Sequence, residues 1–173
     1  MGSEGFIVGI CEEKDIAEIL SIERDSFPSP WTERIFKNEL TSPLSTVLVI
    51  RTGPGEGSRV AGYTVYWRVA DEIHLHNIAV RRELRRQGVA SRLLDEMIRR
   101  ADRGKSRWIS LEVRQGNLAA QRMYAKFGFS LKGVRPGYYT DTGEDALIMW
   151  MDLNQDPAED LKAGSMERCR SDE

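Results

Sequence analysis

The sequence predicts a single mixed α/β domain of the α+β kind, a mostly antiparallel sheet of about seven strands with helices on both faces. Three observations predict it. Apolar spacings of two and of 3.6 residues alternate along the chain in the order β-α-α-β-β-β-α-β-α-β-β. A length of 173 residues suits one domain with a tail. With 40% hydrophobic and 30% charged residues, the chain has the ordinary mixture from which a soluble core is built.

Each element has its own signal. Phe6 to Cys11 reads as the first strand. Asp15 is placed to cap a helix carrying Ile16, Ile19, Leu20 and Ile22. Ser29-Pro30 reads as the N-cap and first residue of a shorter helix with Ile35, Phe36 and Leu40. Thr46 to Ile50 is β-branched and apolar; a Gly-rich turn, 53–57, leads to a strand from Val60 to Trp67. Glu72 to Val80 is the next strand. Val89, Leu93, Leu94, Met97, Ile98 and Ala101 share one face of a helix that Gly104 should end. Trp108 to Val113 is a strand, and Asn117 caps a helix through Tyr124 and Phe127, stopped by Gly128. Phe129 to Val134 and Ala146 to Leu153 close a domain spanning 1–153. The last stretch, 154–173, has six acids, three bases and few apolar residues, and reads as a disordered charged tail.

Charge and composition exclude several classes. The 25 basic and 27 acidic side chains leave a net charge of −2, against a protein that coats nucleic acid, so no direct nucleic-acid partner is expected. Locally, Arg81 to Arg107 holds nine Arg and one Lys against four acids. The longest apolar run, Ala146 to Met151, is far shorter than the ~20 residues of a membrane helix. The N-terminus has no basic segment leading into an apolar one, as a signal peptide would. Cys11 and Cys169 form neither a disulfide framework nor a metal motif. A reduced, cytoplasmic protein without a membrane partner is expected.

Two segments carry chemistry. In the first, the strand Asn77-Ile78-Ala79-Val80 runs into Arg85-Arg86-Gln87-Gly88-Val89-Ala90, a turn that opens a helix. Free N–H groups and the helix dipole at such an end bind phosphate, and Gly88 and small Ala90 let it approach. The turn lacks the spacing of a P-loop or of a dinucleotide fold, and a basic helix entry with solvated arginines explains it equally well. In the second, Leu111-Glu112-Val113-Arg114-Gln115-Gly116-Asn117 is followed by Tyr124. Glu112 lies among apolar neighbours, where a carboxylate is either a poised base or an edge-strand partner of an arginine. Asn117 is a cap residue, and Tyr124, two turns along the same helix face, fits a core position as well as a site. His74 and His76 share a strand face, but with no Cys or third His nearby a metal is not expected.

Together these segments resemble the GNAT (GCN5-related N-acetyltransferase) family, within it the RimI-type enzymes that acetylate protein N-termini. The resemblance spans about residues 6–153. It rests on Arg85, Gly88 and Ala90 of the Arg/Gln-x-x-Gly-x-Gly/Ala turn, on Pro30-Trp31-Thr32-Glu33, Asn77 to Val80, Leu111 to Arg114, the Asn117-to-Tyr124 spacing, Gly128-Phe129, Tyr138-Tyr139 and Glu144-Asp145-Ala146. It implies a GNAT-like fold in which acetyl-CoA enters between two splayed strands ending at Val80 and Val113. Backbone groups of Ile78, Ala79 and Val80 would hold the cofactor arm, and N–H groups of Arg86, Gln87, Gly88, Val89, Ala90 and Ser91 the pyrophosphate. Asn117 would bond the arm, Glu112 would be the general base and Tyr124 the general acid. Trp31, His76, Tyr138 and Tyr139 would line the acceptor groove. Gly116 stands where the family usually has Ser, and Ala90 replaces a second glycine.

The same resemblance implies the N-terminal alanine of a small-subunit ribosomal protein as acceptor. An α-amine at pKa ~7.7–8.0 and a lysine at ~10.4 differ by about 3.5 kcal/mol of deprotonation cost, so a single carboxylate suits the α-amine. Two alternatives remain: a small-molecule amine as acceptor, and a non-catalytic module binding RNA through its basic segment.

Overall fold

The computed structural model describes residues 5–55, 57–102 and 104–154; the tail lies, apart from Asn154, outside the described residues. The elements are β1 (Ile7–Ile10), α1 (Ile16–Ser26), α2 (Glu33–Thr41), β2 (Ser45–Arg51), β3 (Val60–Val69), β4 (Glu72–Val80), α3 (Val89–Arg99), β5 (Trp108–Arg114), α4 (Leu118–Lys126), β6 (Ser130–Tyr139) and β7 (Glu144–Asp152). Short 3₁₀ turns occupy Glu13–Asp15 and Arg82–Leu84. The strands form one sheet in the order β1-β2-β3-β4-β5-β7-β6. Every neighbouring pair is antiparallel except β4–β5.

Strand alternation sends side chains to two cores. Leu48, Ile50, Ile73, Leu75, Ile109, Leu111 and Val113 meet Val89, Leu93, Leu94 and Met97 of α3 and Tyr124 of α4. On the other face, Val47, Val49, Tyr63 and Val65 meet Ile16, Ile19 and Ile22 of α1 and Phe36 of α2. At Gly62 a Cβ would stand 2.7 Å from the Ala79 carbonyl and 3.3 Å from Val89, so a side chain there would force the β4 backbone to shift.

Two irregularities in β4 position the site. Val65 opposes Asn77 while Tyr66 opposes Leu75, so His76 is an extra residue, a β-bulge. The bulge reverses the parity of the strand: Ile73 and Leu75 face α3 before it, Ile78 and Val80 after it. The second irregularity is that β4 and β5 pair only from Glu72–Trp108 to Leu75–Leu111. Beyond that point the two strands diverge, and Asn77 to Val80 faces a gap opposite Glu112 to Arg114.

Some local expectations are corrected. Asp15 makes no side-chain cap to α1, because the 3₁₀ turn runs straight into the helix; its carboxylate instead accepts from the Glu12 N–H (2.8 Å) and from Arg51 (2.6 Å). The second helix starts at Glu33 after Thr32, not at Ser29-Pro30, because the intervening loop is tied down by the Trp31 N–H donating to Glu23 (2.9 Å). The helix expected to reach Gly104 ends at Arg99, its Arg100 N–H closing on Glu96. β6 continues to Tyr139, past the expected Val134, because it keeps pairing with β7 through an irregular register.

Candidate active site

The gap is built from backbone. The Arg81 N–H donates to the Ala61 carbonyl across to β3 (2.8 Å). Strand alternation then turns Ala79 toward β3 as well and leaves the N–H groups of Ile78 and Val80 facing the gap. Of the expected trio, Ile78 and Val80 thus offer polar groups to a ligand there, while Ala79 contributes to the cavity wall. The Val80 carbonyl accepts from the Arg85 guanidinium (3.1 Å), whose other arm reaches Ser26 (3.0 Å) and fixes the turn to α1.

On one side of the gap lies a cavity of about 730 Å³ against the start of α3. Gly88, at φ 77, is the N-cap, and a Cβ there would meet nothing within 4 Å. Arg92 makes the first α-helical bond, to the Gly88 carbonyl, so the N–H groups of Val89, Ala90 and Ser91 have no carbonyl within the helix. Arg86 also holds a left-handed backbone, φ 63, an uncommon state for a non-glycine residue that sharpens the turn. Arg85, Arg86, Arg122 and Lys126 border the cavity. Gln87 does not: its side-chain amide donates to the Glu83 carbonyl (3.3 Å). An open, cationic helix N-terminus of this kind fits a polyphosphate.

On the other side lies a cavity of about 380 Å³ that shares Ile78, Asn117 and Tyr124 with the first. Asn117 caps α4, its Oδ1 accepting from the Ala120 N–H (3.1 Å). Glu112 projects from β5 at the point where β4 no longer pairs with it. Its carboxylate meets Arg135 of β6 at 2.8 Å and His74 Nε2 at 3.3 Å. Glu112 thus lines the cavity and also pairs with an arginine, although β5 is an inner strand and not an edge. The Tyr124 hydroxyl belongs to a nearly buried ring packed on Phe129, and burial raises its pKa, so the phenol stays protonated at neutral pH. Trp31, His76, Tyr138 and Tyr139 all border this cavity. The His76 ring lies against Trp67 (4.4 Å) and His74 (4.6 Å); desolvation, and then the neighbouring His74, lower its pKa. Tyr139 packs under the Arg114 guanidinium (3.9 Å), which Asp141 anchors at 2.7 Å. A Cβ at Gly116 would stand 2.6 Å from Glu144 Oε1, so Glu144 takes up room next to the backbone where the family usually carries Ser.

Glu23 in this cavity, and the partners of Glu112 beside it, escape sequence reasoning. Glu23 is 1% exposed and accepts from the Trp31 N–H, the Tyr63 hydroxyl and Asn77 Nδ2 (3.2 Å). Burial nonetheless raises its pKa against those three donors. Its only signal was a carboxylate on the apolar side of a helical pattern. His74 and Arg135 were invisible as partners of Glu112, because both contacts depend on strand register. The phase slip from Ile73 and Leu75 to Ile78 and Val80 was a readable trace of the bulge. Among the described residues no group of His, Cys, Asp and Glu is placed to hold a metal.

Residues 16–129 match the acetyltransferase (GNAT) family. A Bacillus subtilis (strain 168) protein, provisionally named a ribosomal protein bS18-alanine N-acetyltransferase, is 41% identical over 143 residues, covering 82% of this chain and 92% of that one. The ribosomal protein bS18-alanine N-acetyltransferase of Escherichia coli (strain K12) is 30% identical over 145 residues, covering 83% and 95%. The crystal structure of the ribosomal-protein-S18-alanine N-acetyltransferase from Escherichia coli superposes with a TM-score of 0.76 at 29% identity, over 87% of this chain and 96% of that one.

Proposed function

Because the chain belongs to the GNAT acetyltransferase family, we propose that it transfers the acetyl group of acetyl-CoA to the N-terminal α-amine of a protein, with the N-terminal alanine of ribosomal protein bS18 as the acceptor. The observation that carries this reading is the gap between β4 and β5, which joins a phosphate-suited cavity to one holding Glu112 and Tyr124. The named relatives, two of them bS18-alanine acetyltransferases, support the acceptor. The absence, among the described residues, of any helix long and apolar enough to cross a membrane accords with work on a cytoplasmic substrate.

Acetyl-CoA supplies an activated thioester. The chain's own groups do the rest. Val89, Ala90 and Ser91 N–H groups and the arginines of the turn hold the phosphates. Ile78 and Val80 N–H groups hold the arm and donate to oxygen charge that develops in the gap. Asn117, between the two cavities, steadies the arm. Glu112 takes the proton that an ammonium must lose before it attacks, and protonated Tyr124 gives a proton to the departing thiolate. Trp31, His76, Tyr138 and Tyr139 wall the acceptor groove.

Blocking the acceptor tests this. A bS18 N-terminal peptide should be acetylated at its α-amine, and an N-formylated copy containing lysine should react several hundred-fold more slowly, on the order of what the ~3.5 kcal/mol gap dictates. Preference for the lysine side chain, or for free polyamines over the peptide, would refute the N-terminal reading.

A further inference from the structure

A continuous polar chain leads away from Glu112, on the sheet face opposite α3. Glu112 Oε2 lies 3.3 Å from His74 Nε2. His74 Nδ1 lies 2.6 Å from the Ser110 hydroxyl, and that hydroxyl donates to Glu72. All four residues sit on the paired stretch of β4 and β5 or one step past it, where register rather than loop geometry holds them. Donor and acceptor roles follow from the far end. Ser110 has one hydrogen, and Glu72 takes it, so Ser110 can only accept from His74. Nδ1 therefore carries a proton, and in the neutral imidazole Nε2 is the nitrogen left to take one from Glu112.

We propose that His74 is a positioning residue that relays the acceptor's proton: Glu112 takes the proton from the amine nitrogen and passes it to His74 Nε2, with Ser110 and Glu72 holding the ring in the tautomer that can receive it. The proposal rests on Glu112 being the base. The step balances: one N–H bond of the ammonium breaks, one N–H bond forms on the imidazole, and Glu112 is a carboxylate again when the amine attacks. The resulting imidazolium stands between two carboxylates, Glu112 at 3.3 Å and Glu72 at 3.7 Å. The other charged groups facing the chain are Arg135 on the far oxygen of Glu112, His76 beside the ring, and Glu39, which acts on His76 and binds Trp67. Glu72 is partly exposed and opens the far end to solvent.

The test compares kcat against pH for the parent, Glu112→Gln, His74→Gln and Ser110→Ala with a free-N-terminal peptide, each variant first shown by calorimetry to bind acetyl-CoA. His74→Gln keeps an amide near the Nε2 position but cannot accept the proton. It should lose kcat on the order of 10-fold with KM unchanged, and its acidic limb should move to lower pH, toward that of a lone carboxylate. Ser110→Ala should lose less and shift the same limb, because the ring is then free to change tautomer. Imidazoles added to His74→Ala should restore turnover, more so the more basic the imidazole. If Glu112→Gln is inactive while His74→Gln and Ser110→Ala keep the parent's kcat and profile, the relay is overturned and the base assignment stands. A His74→Gln loss with an unmoved limb and no imidazole rescue also overturns the relay, leaving a packing role. An active Glu112→Gln overturns the base assignment itself.

Discussion

At the scale of single residues, Glu112 and Tyr124, the proposed base and acid, differ in environment. Glu112 meets a cation and an imidazole, whereas Tyr124 is held protonated by burial. Glu112→Gln should lower turnover ~10²–10⁴-fold near neutral pH, with the deficit shrinking as pH rises and solvent deprotonates more of the amine. Tyr124→Phe should show the opposite trend, its deficit persisting or growing as solvent acids become scarce; equal, pH-independent losses would remove both assignments. Glu23 gives a stability test. Its native pKa is raised by burial, so its contribution to stability is fully present below the ordinary carboxylate value of ~4.3 and lost as pH rises through the native value. The melting temperature of the parent should fall relative to Glu23→Gln across that rise, and parallel melting curves would mean that Glu23 does not titrate in the native state. The positions of Glu112, Tyr124 and Asn117 were legible because each stands at a fixed distance from a local signal, a strand run or a helix cap. Arg135 was not, because it reaches Glu112 only after β7 inserts between β5 and β6.

At the scale of elements, the start of α3 concentrates what the turn's sequence advertised. Gly88 combines a left-handed backbone with open space over its Cα. Gly88→Trp should fill that space and reduce acetyl-CoA affinity at least about 10-fold by calorimetry. Gly88→Ala should bind nearly normally, carrying only the ~1–2 kcal/mol cost of a side chain at positive φ. Unchanged affinity in a folded Gly88→Trp would place the cofactor elsewhere. Strand and helix identities were readable because period-2 and period-3.6 patterns are local. Boundaries failed where a tertiary contact set them: Glu23 holding Trp31 delayed α2, and pairing with β7 lengthened β6.

At the scale of the molecule, a net charge of −2 hides a division of labour. Several bases between Arg81 and Arg107 are spent on acids, among them Arg81 on Glu18, Arg99 and Arg100 on Glu96, and Arg107 on Asp152. Arg85 and Arg86, at the cavity itself, have no acidic partner among the described residues. Acetyl-CoA association measured by stopped flow should therefore slow as salt rises from 50 to 500 mM, roughly as the Debye length shortens; a salt-independent rate would mean that the turn does not steer the ligand. The sheet order itself was not legible, since nothing local says that the last strand slips in ahead of the one before it. The early end of the β4–β5 ladder also has a consequence for local stability. It places a free sheet edge inside the domain, so amide hydrogens along one strand should exchange with deuterium in alternation. Those of Ile78 and Val80 should exchange fast, those of Ala79 and Arg81 slowly. Acetyl-CoA should erase the alternation by occupying the place of the missing strand.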